Sequence, residues 1–107
     1  MNQGAKPVQQ SAMPATYTSP EAMELTVTLG TIFSLLKAFT FPDLRKAADA
    51  ISETGGRTLD PGSTGSREKL EQGLRGIIMA LYEEESHKLA TVQNALEAIA
   101  KERLRNR

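Results

Sequence analysis

Residues 67–105, which read REKLEQGLRGIIMALYEEESHKLATVQNALEAIAKERLR, decide the fold class of this chain. Large apolar side chains recur along the stretch at steps that average close to the repeat of an α-helix. These residues are Leu70, Leu74, Ile77, Leu81, Leu89, Val92, Leu96 and Ile99. Ser66 precedes them and can cap a helix, because its hydroxyl accepts hydrogen bonds from first-turn amides. No proline interrupts the stretch, so we predict one continuous helix over residues 67–105, about 55–60 Å long.

Residues 83–88, EEESHK, weigh against continuity because none of them is apolar. Ser86 lies among them and could cap the start of a separate helix. A break at this position is therefore the alternative to one long helix. A continuous helix would exceed what one small domain covers, so a second chain or shorter helices would have to bury part of its apolar stripe.

The first helix is predicted over residues 20–39. Ser19 can cap its first turn, and Pro20 suits the first helical position. Five apolar side chains then follow at helical spacing: Leu25, Leu29, Ile32, Leu36 and Phe39. Residues 23–29 also fit a strand, because apolar residues alternate there with threonines, and this alternative stays open.

A second, shorter helix is predicted over residues 42–54. Pro42 can occupy its first turn, and Gly55 is placed to end it in the left-handed conformation. The following residues, 55–66, are rich in glycine and read as a loop.

The chain as a whole is predicted to be all-α. Residues 1–18 show no periodicity and contain two prolines, which is typical of a disordered arm. Residues 19–107 form a single helical domain with two shorter N-terminal helices and one long C-terminal helix. Aromatic residues make up only 5% of the 107 residues, and thin cores are often completed by self-association. We therefore expect a helical homodimer.

The composition argues against several kinds of chemistry. Thirteen Lys and Arg residues balance thirteen Asp and Glu residues, so no net charge attracts nucleic acid. The chain has no cysteine and one histidine, His87. A metal site there would need more ligands than the nearby Glu83 and Glu84, and no P-loop or nucleophile elbow is present. We expect no enzymatic activity, no cofactor and no metal.

The sequence also bears on where the protein acts. No apolar stretch is long enough to cross a bilayer, and residues 1–11 do not resemble a secretory signal. We therefore expect a cytoplasmic protein without a membrane partner.

Two apolar surfaces are candidates for contact with other proteins. All three phenylalanines of the chain fall within residues 33–41, and clustered aromatic residues are typical of an interface core. The predicted partner-binding residues are Phe33, Leu36, Phe39 and Phe41. Glycines within the long helix would let a neighbouring backbone approach, although each costs about 1 kcal/mol relative to alanine. The predicted seam, with a second copy or with the partner, consists of Leu70, Gly73, Leu74, Ile77, Ile78, Leu81 and Tyr82.

An apolar segment, TIFSLLKAF, followed by the long helix that begins REKLEQGLRGIIMALYEEE, resembles the QslA- and TraM-like antiactivators of bacterial quorum sensing. The resemblance covers size and layout over residues 20–105. It implies a helical dimer that sequesters a LuxR-type transcription regulator and prevents its binding to DNA. On this basis we expect a non-catalytic, protein-binding regulator.

Two other functions remain open at this point. A structural, assembly or chaperone component of a phage or secretion system would form higher oligomers or require a partner for solubility. A small nucleic-acid-binding regulator could use the basic tail at residues 101–107, KERLRNR, and its binding would weaken steeply with salt. The neutral overall charge favours a protein partner over a nucleic acid.

Overall fold

The computed structural model describes residues 20–105, and every regular element in that range is helical. The four α-helices are α1 (Pro20–Ala38), α2 (Phe41–Gly55), α3 (Arg67–Glu84) and α4 (Leu89–Arg105). Short 3₁₀ turns occupy Pro61–Thr64 and Ser86–Lys88. The described range contains no strand, so the predicted all-α class is confirmed, with four helices in place of three. The predicted arm over residues 1–18 lies outside the described residues.

Helix α1 is continuous through residues 23–29, so the strand alternative for that segment is wrong. The hydroxyl of Thr26 donates to the carbonyl of Ala22 at 3.0 Å, which lets a β-branched polar residue satisfy its own donor within a helix. Leu25 and Leu29 pack against the core, so the helical spacing of apolar residues outweighs the local alternation.

Helix α2 is fixed at both ends by its own sequence. The backbone amide of Asp43 donates to the Thr40 hydroxyl at 3.4 Å, and the Thr40 amide donates to the Asp43 carboxylate at 3.3 Å. This reciprocal pair is a capping box. At the other end Gly56 adopts φ 64°, in the left-handed region, so the prediction of Gly55 for that role is wrong by one residue. Gly55 stays helical and is buried, with a Leu81 methyl 3.3 Å from where a Cβ would lie.

The prediction of one continuous helix over residues 67–105 is wrong, because the helix breaks at Glu85. This residue has φ −145° and ψ 55°, outside the helical region. Its amide still donates to the Leu81 carbonyl at 2.7 Å, and a 3₁₀ turn then leads into α4. The break falls in the stretch without apolar side chains, where no buried contact would be lost. It lets α4 pack its own apolar stripe against α1 and α2.

The helices form a four-helix bundle in which α1 lies diagonally across from α2, and α3 lies diagonally across from α4. Helices α1 and α2 each pack against both α3 and α4, while contacts within the pairs α1–α2 and α3–α4 are sparse. Arg67, at the start of α3, donates a hydrogen bond to the Phe39 carbonyl just after the end of α1. Arg103, near the end of α4, forms an ion pair with Asp43 at the start of α2. Helix α3 therefore runs antiparallel to α1, and α4 runs antiparallel to α2.

The bundle encloses a core of aliphatic side chains with one phenylalanine. Its buried members are Ile32, Leu36, Phe39, Leu44, Ala47, Ile51, Leu70, Leu74, Ile78, Leu81, Leu89, Val92 and Leu96. Each of the four helices contributes to this set, so none of them can leave the bundle without exposing apolar surface to water.

Asp43 links the start of α2 to the end of α4. Its carboxylate accepts a hydrogen bond from Arg103 at 3.0 Å. Burial raises the pKa of Asp43, but the hydrogen bonds from Thr40 and Arg103 outweigh burial and hold the pKa below its ordinary value. The ionised carboxylate therefore stabilises the fold at pH values above the unfolded-state pKa of about 4. That contribution is lost as the pH falls through the lowered pKa of the folded state.

The two glycines inside α3 differ in their surroundings, and this gives a test of the packing. A Cβ at Gly73 would lie 2.8 Å from a Leu59 methyl and 3.1 Å from the Ser63 Cβ, whereas one at Gly76 would meet nothing within 4 Å. We expect Gly76→Ala to raise the free energy of unfolding by about 1 kcal/mol through helix propensity. Gly73→Ala should be at least about 1 kcal/mol less stable than Gly76→Ala, because overpacking offsets that gain.

Urea unfolding of both glycine variants, followed by circular dichroism, measures this difference directly. Equal stabilisation by the two substitutions would contradict the close approach of Leu59 and Ser63 to α3. That approach comes from the chain's own loop, which gives Gly73 a role within the fold, and its role in a seam with another backbone stays a prediction.

Candidate protein-binding surface

Most of the predicted seam on the long helix lies inside the protein. Four of its seven residues are 0–1% exposed in the core: Leu70, Leu74, Ile78 and Leu81. They pack within the chain's own bundle, so in this fold they offer no surface to a second copy. Ile77 and Tyr82 are half-buried, and contact with another protein stays a prediction for these two. The other four side chains are buried because α1 and α2 pack against α3, which the sequence interpretation did not anticipate.

The predicted partner-binding residues divide in the same way. Leu36 and Phe39 are buried in the core, so they are not available to a partner in this fold. Phe33 and Phe41 are half-buried, and each has an arginine over its ring. The guanidinium carbon of Arg75 lies 4.5 Å from the centre of the Phe33 ring, and that of Arg45 lies 4.3 Å from the Phe41 ring.

Phe33, Arg75 and Met79 form a mixed aromatic, cationic and apolar surface, which we call the α1–α3 face. Phe33 reaches Arg75 across the boundary between the two helices. Met79 follows Arg75 by one turn, and residues four apart lie on the same side of a helix. Met79 is 37% exposed and is one of four large apolar residues that are exposed among the described residues. The sequence interpretation identified Phe33 but did not group Arg75 and Met79 of α3 with it.

Glu71 holds the arginine of this face in place. Its carboxylate lies 3.7 Å from the Arg75 guanidinium and 2.8 Å from that of Arg67. Glu71 is half-buried, so these charges are partly shielded from water and the pairs are stronger than fully exposed ones. The Arg75 side chain is therefore restrained both by a carboxylate on its own helix and by the Phe33 ring on α1.

A polar cavity lies between α3 and the loop that precedes it. Its volume is about 310 Å³, and its lining residues are Arg57, Thr58, Leu59, Asp60, Ser63, Gly73, Gly76, Ile77 and Ala80. Arg57 bonds Glu84, and Glu85 lies 4.0 Å from it, so the guanidinium charge is already compensated. The guanidinium is therefore not free to select an anionic ligand, and the other charged residue of the lining is Asp60.

Charged side chains at the break between α3 and α4 pair with one another and with Arg57. Lys88 lies 3.0 Å from Glu85, and its hydrogen bond holds the pKa of Glu85 below the ordinary value, against a smaller rise from burial. His87 is exposed. Within residues 20–105 no group of three or more His, Cys, Asp or Glu side chains is placed to hold a metal ion. None of the described helices is long and apolar enough to cross a membrane.

The basic C-terminal segment is partly engaged within the fold. Arg103 pairs with Asp43, whereas Lys101 and Arg105 are exposed on α4. One cation of the described part of the tail is thus already neutralised, which weakens the case for a phosphate-binding patch.

Comparison of the chain with protein-family models, curated proteins and solved structures gives no match. The geometry of the described residues is therefore the basis for assigning a function.

Proposed function

We propose that this protein is a non-catalytic regulator that binds another protein through the α1–α3 face and thereby sequesters it. The observation that carries the proposal is the grouping of Phe33, Arg75 and Met79 on one surface. Aromatic residues, arginine and methionine are the types enriched in protein interfaces. The partly exposed ring of Phe33 offers an apolar contact, and the restrained guanidinium of Arg75 above it offers a positive charge in a fixed position. Residues of these types carry much of the binding energy in protein interfaces.

The class of partner follows from the resemblance to quorum-sensing antiactivators. A transcription regulator of the LuxR type is the proposed target, and the proposed site of action is the cytoplasm. Occupation of the regulator's dimer surface or ligand-binding domain by the α1–α3 face would prevent its binding to DNA. The net charge of zero supports a protein partner, because nucleic-acid binding normally draws on excess positive charge.

The α1–α3 face can be tested with two charge reversals that are closely matched. Arg75→Glu changes the proposed face, and Arg45→Glu changes the other exposed arginine that stacks on a phenylalanine. We expect Arg75→Glu to weaken partner binding at least tenfold, a loss of about 1.4 kcal/mol or more. Arg45→Glu should leave the affinity within about twofold of the wild type, because it lies on α2, outside the proposed face.

The partner is first captured from source lysate by the tagged chain after nuclease treatment. Its affinity for purified wild type and for each variant is then measured by calorimetry, with circular dichroism as a check on folding. Equal binding by wild type and Arg75→Glu would contradict the role of the α1–α3 face. Capture of nucleic acid alone would contradict the proposed function itself.

A further inference from the structure

We propose that a groove between α2 and the loop that follows it binds a free amino acid with a large apolar side chain. The groove, which we call the α2 groove, has a volume of about 480 Å³, within the range of small-molecule sites in proteins. Arg45, Ala48 and Asp49 line it from α2, Leu59 lines it from the loop, and Leu70 lines it from α3. The groove lies outside the α1–α3 face, so this proposal does not rest on the proposed function.

The floor of the α2 groove is apolar and held in place by the core. Leu70 is a buried core residue, and Ala48 and Leu59 are partly buried and pack against that core. The lining as a whole exposes more apolar than polar surface. An apolar side chain that enters the groove is removed from water together with this floor, which is favourable in proportion to the area covered. The floor therefore selects a ligand with an aliphatic or aromatic side chain.

Two opposite charges stand on the α2 wall of the groove. Arg45 and Asp49 are four residues apart, so they share a side of the helix and their Cβ atoms are about 5–6 Å apart. Among residues 20–105 neither side chain has an ion-pair partner, and they do not pair with each other. One positive and one negative group are therefore available side by side above the apolar floor.

Phe41 holds Arg45 away from Asp49. The guanidinium carbon of Arg45 lies 4.3 Å from the centre of the Phe41 ring, and Phe41 is one turn before Arg45, whereas Asp49 is one turn after it. The order of a cation before an acid along a helix is also the weaker one for an ion pair. Stacking on the ring occupies the flat side of the guanidinium and leaves its N–H edge free, and this edge matches the two oxygens of a carboxylate.

The charges and the floor together specify the ligand. A free amino acid carries a carboxylate for Arg45, an ammonium group for Asp49 and a side chain for the floor, all on one carbon atom. A simple anion or cation would instead bring its charge beside a like charge on the wall. A residue inside a peptide chain has neither charge, and a residue at a chain end has only one of them. The α2 groove therefore fits a free amino acid better than a peptide.

Titration of the purified chain with L-leucine, followed by NMR of the backbone amides, tests this site without any protein partner. We expect saturable shifts centred on Ala48, Ser52 and Leu59, with a dissociation constant of about 1 mM or below for so small a ligand. Glycine has the same charges but no side chain, so it should bind at least about tenfold more weakly. Absence of saturable shifts at these residues, or equal binding of leucine and glycine, would overturn the proposal.

Ligands that lack one charge test the wall of the groove from the other side. N-acetyl-leucine has no ammonium group and leucine amide has no carboxylate, so each loses one of the two charged contacts. Both should bind at least about tenfold more weakly than leucine, because a hydrogen bond to a charged group contributes this much or more. Binding of either derivative with the affinity of leucine would overturn the assignment of a free amino acid.

Neutral substitutions on α2 complete the test. Arg45→Gln and Asp49→Asn should each weaken leucine binding at least about tenfold and leave the fold intact, because both residues are exposed. Lys46→Gln and Glu53→Gln are matched controls, because they remove exposed charges of the same signs from α2 outside the lining of the groove. The controls should bind leucine like the wild type. Wild-type binding by Arg45→Gln and Asp49→Asn would place leucine elsewhere and overturn the proposal.

Discussion

Replacing Ile78 by aspartate is expected to unfold the protein, with loss of helical circular dichroism at temperatures where the wild type is folded. Ile78 is 0% exposed and belongs to the core that joins all four helices. No cation lies in that core, so a carboxylate there would have to be buried without a partner or protonated, and either state is costly. Substitutions of this kind reach about 4–5 kcal/mol or more. A small domain has only about 5–15 kcal/mol of total stability.

Met79→Asp is the control for this experiment, because it places the same charge one residue away on an exposed position. Its free energy of unfolding should stay within about 1 kcal/mol of the wild type, as expected for surface changes. Leu74→Ala gives an intermediate case, with an expected loss of about 2–5 kcal/mol from the cavity it creates. A folded Ile78→Asp variant with wild-type thermal stability would contradict the placement of Ile78 in the core and restore it as a candidate surface residue.

The features of the fold that depend on neighbouring residues could be predicted from the sequence. The Ser66 cap of α3 follows from a side chain that satisfies free backbone amides within one turn. The predicted Ser19 cap of α1 lies outside the described residues. The helical spacing of apolar residues correctly outweighed the alternation over residues 23–29. Gly56 took the left-handed position in place of Gly55, because Gly55 is needed where α2 packs closely on Leu81.

The features that depend on tertiary packing could not be predicted in the same way. The break at Glu85 lets α4 bury its own stripe in the bundle, and that benefit is set by helices distant in the sequence. The same dependence on tertiary packing explains why the candidate binding surface could not be predicted from the sequence. An amphipathic helix shows which residues are apolar, but the neighbours of α3 decide that Ile78 is buried and Met79 is exposed. Phe33 and Phe39 were both predicted to contact a partner, but Phe39 is buried in the core, whereas Phe33 is half-buried beside Arg75 of α3.

Replacing Arg67 by alanine is expected to lower the free energy of unfolding by about 2–3 kcal/mol, a large effect for a residue outside the core. Its guanidinium donates to the carbonyls of Phe39, Leu36 and Lys37 at 2.8, 3.1 and 2.6 Å. The last carbonyls of a helix have no partner within that helix. A positive charge there also offsets the negative end of the helix dipole. Arg67 therefore caps α1 from the first residue of α3.

Arg67→Lys separates the charge from the geometry of this cap. An ammonium group keeps the favourable interaction with the dipole, but it cannot present the planar set of donors that reaches several carbonyls at once. We expect it to recover less than half of the stability lost in Arg67→Ala, as measured by urea unfolding. Hydrogen exchange should accelerate first at the amides of α1 and the turn to α2, because these are the groups that Arg67 ties to α3. Unchanged exchange there, with a uniform loss of stability elsewhere, would show that Arg67 acts through its ion pair with Glu71 instead of through the cap.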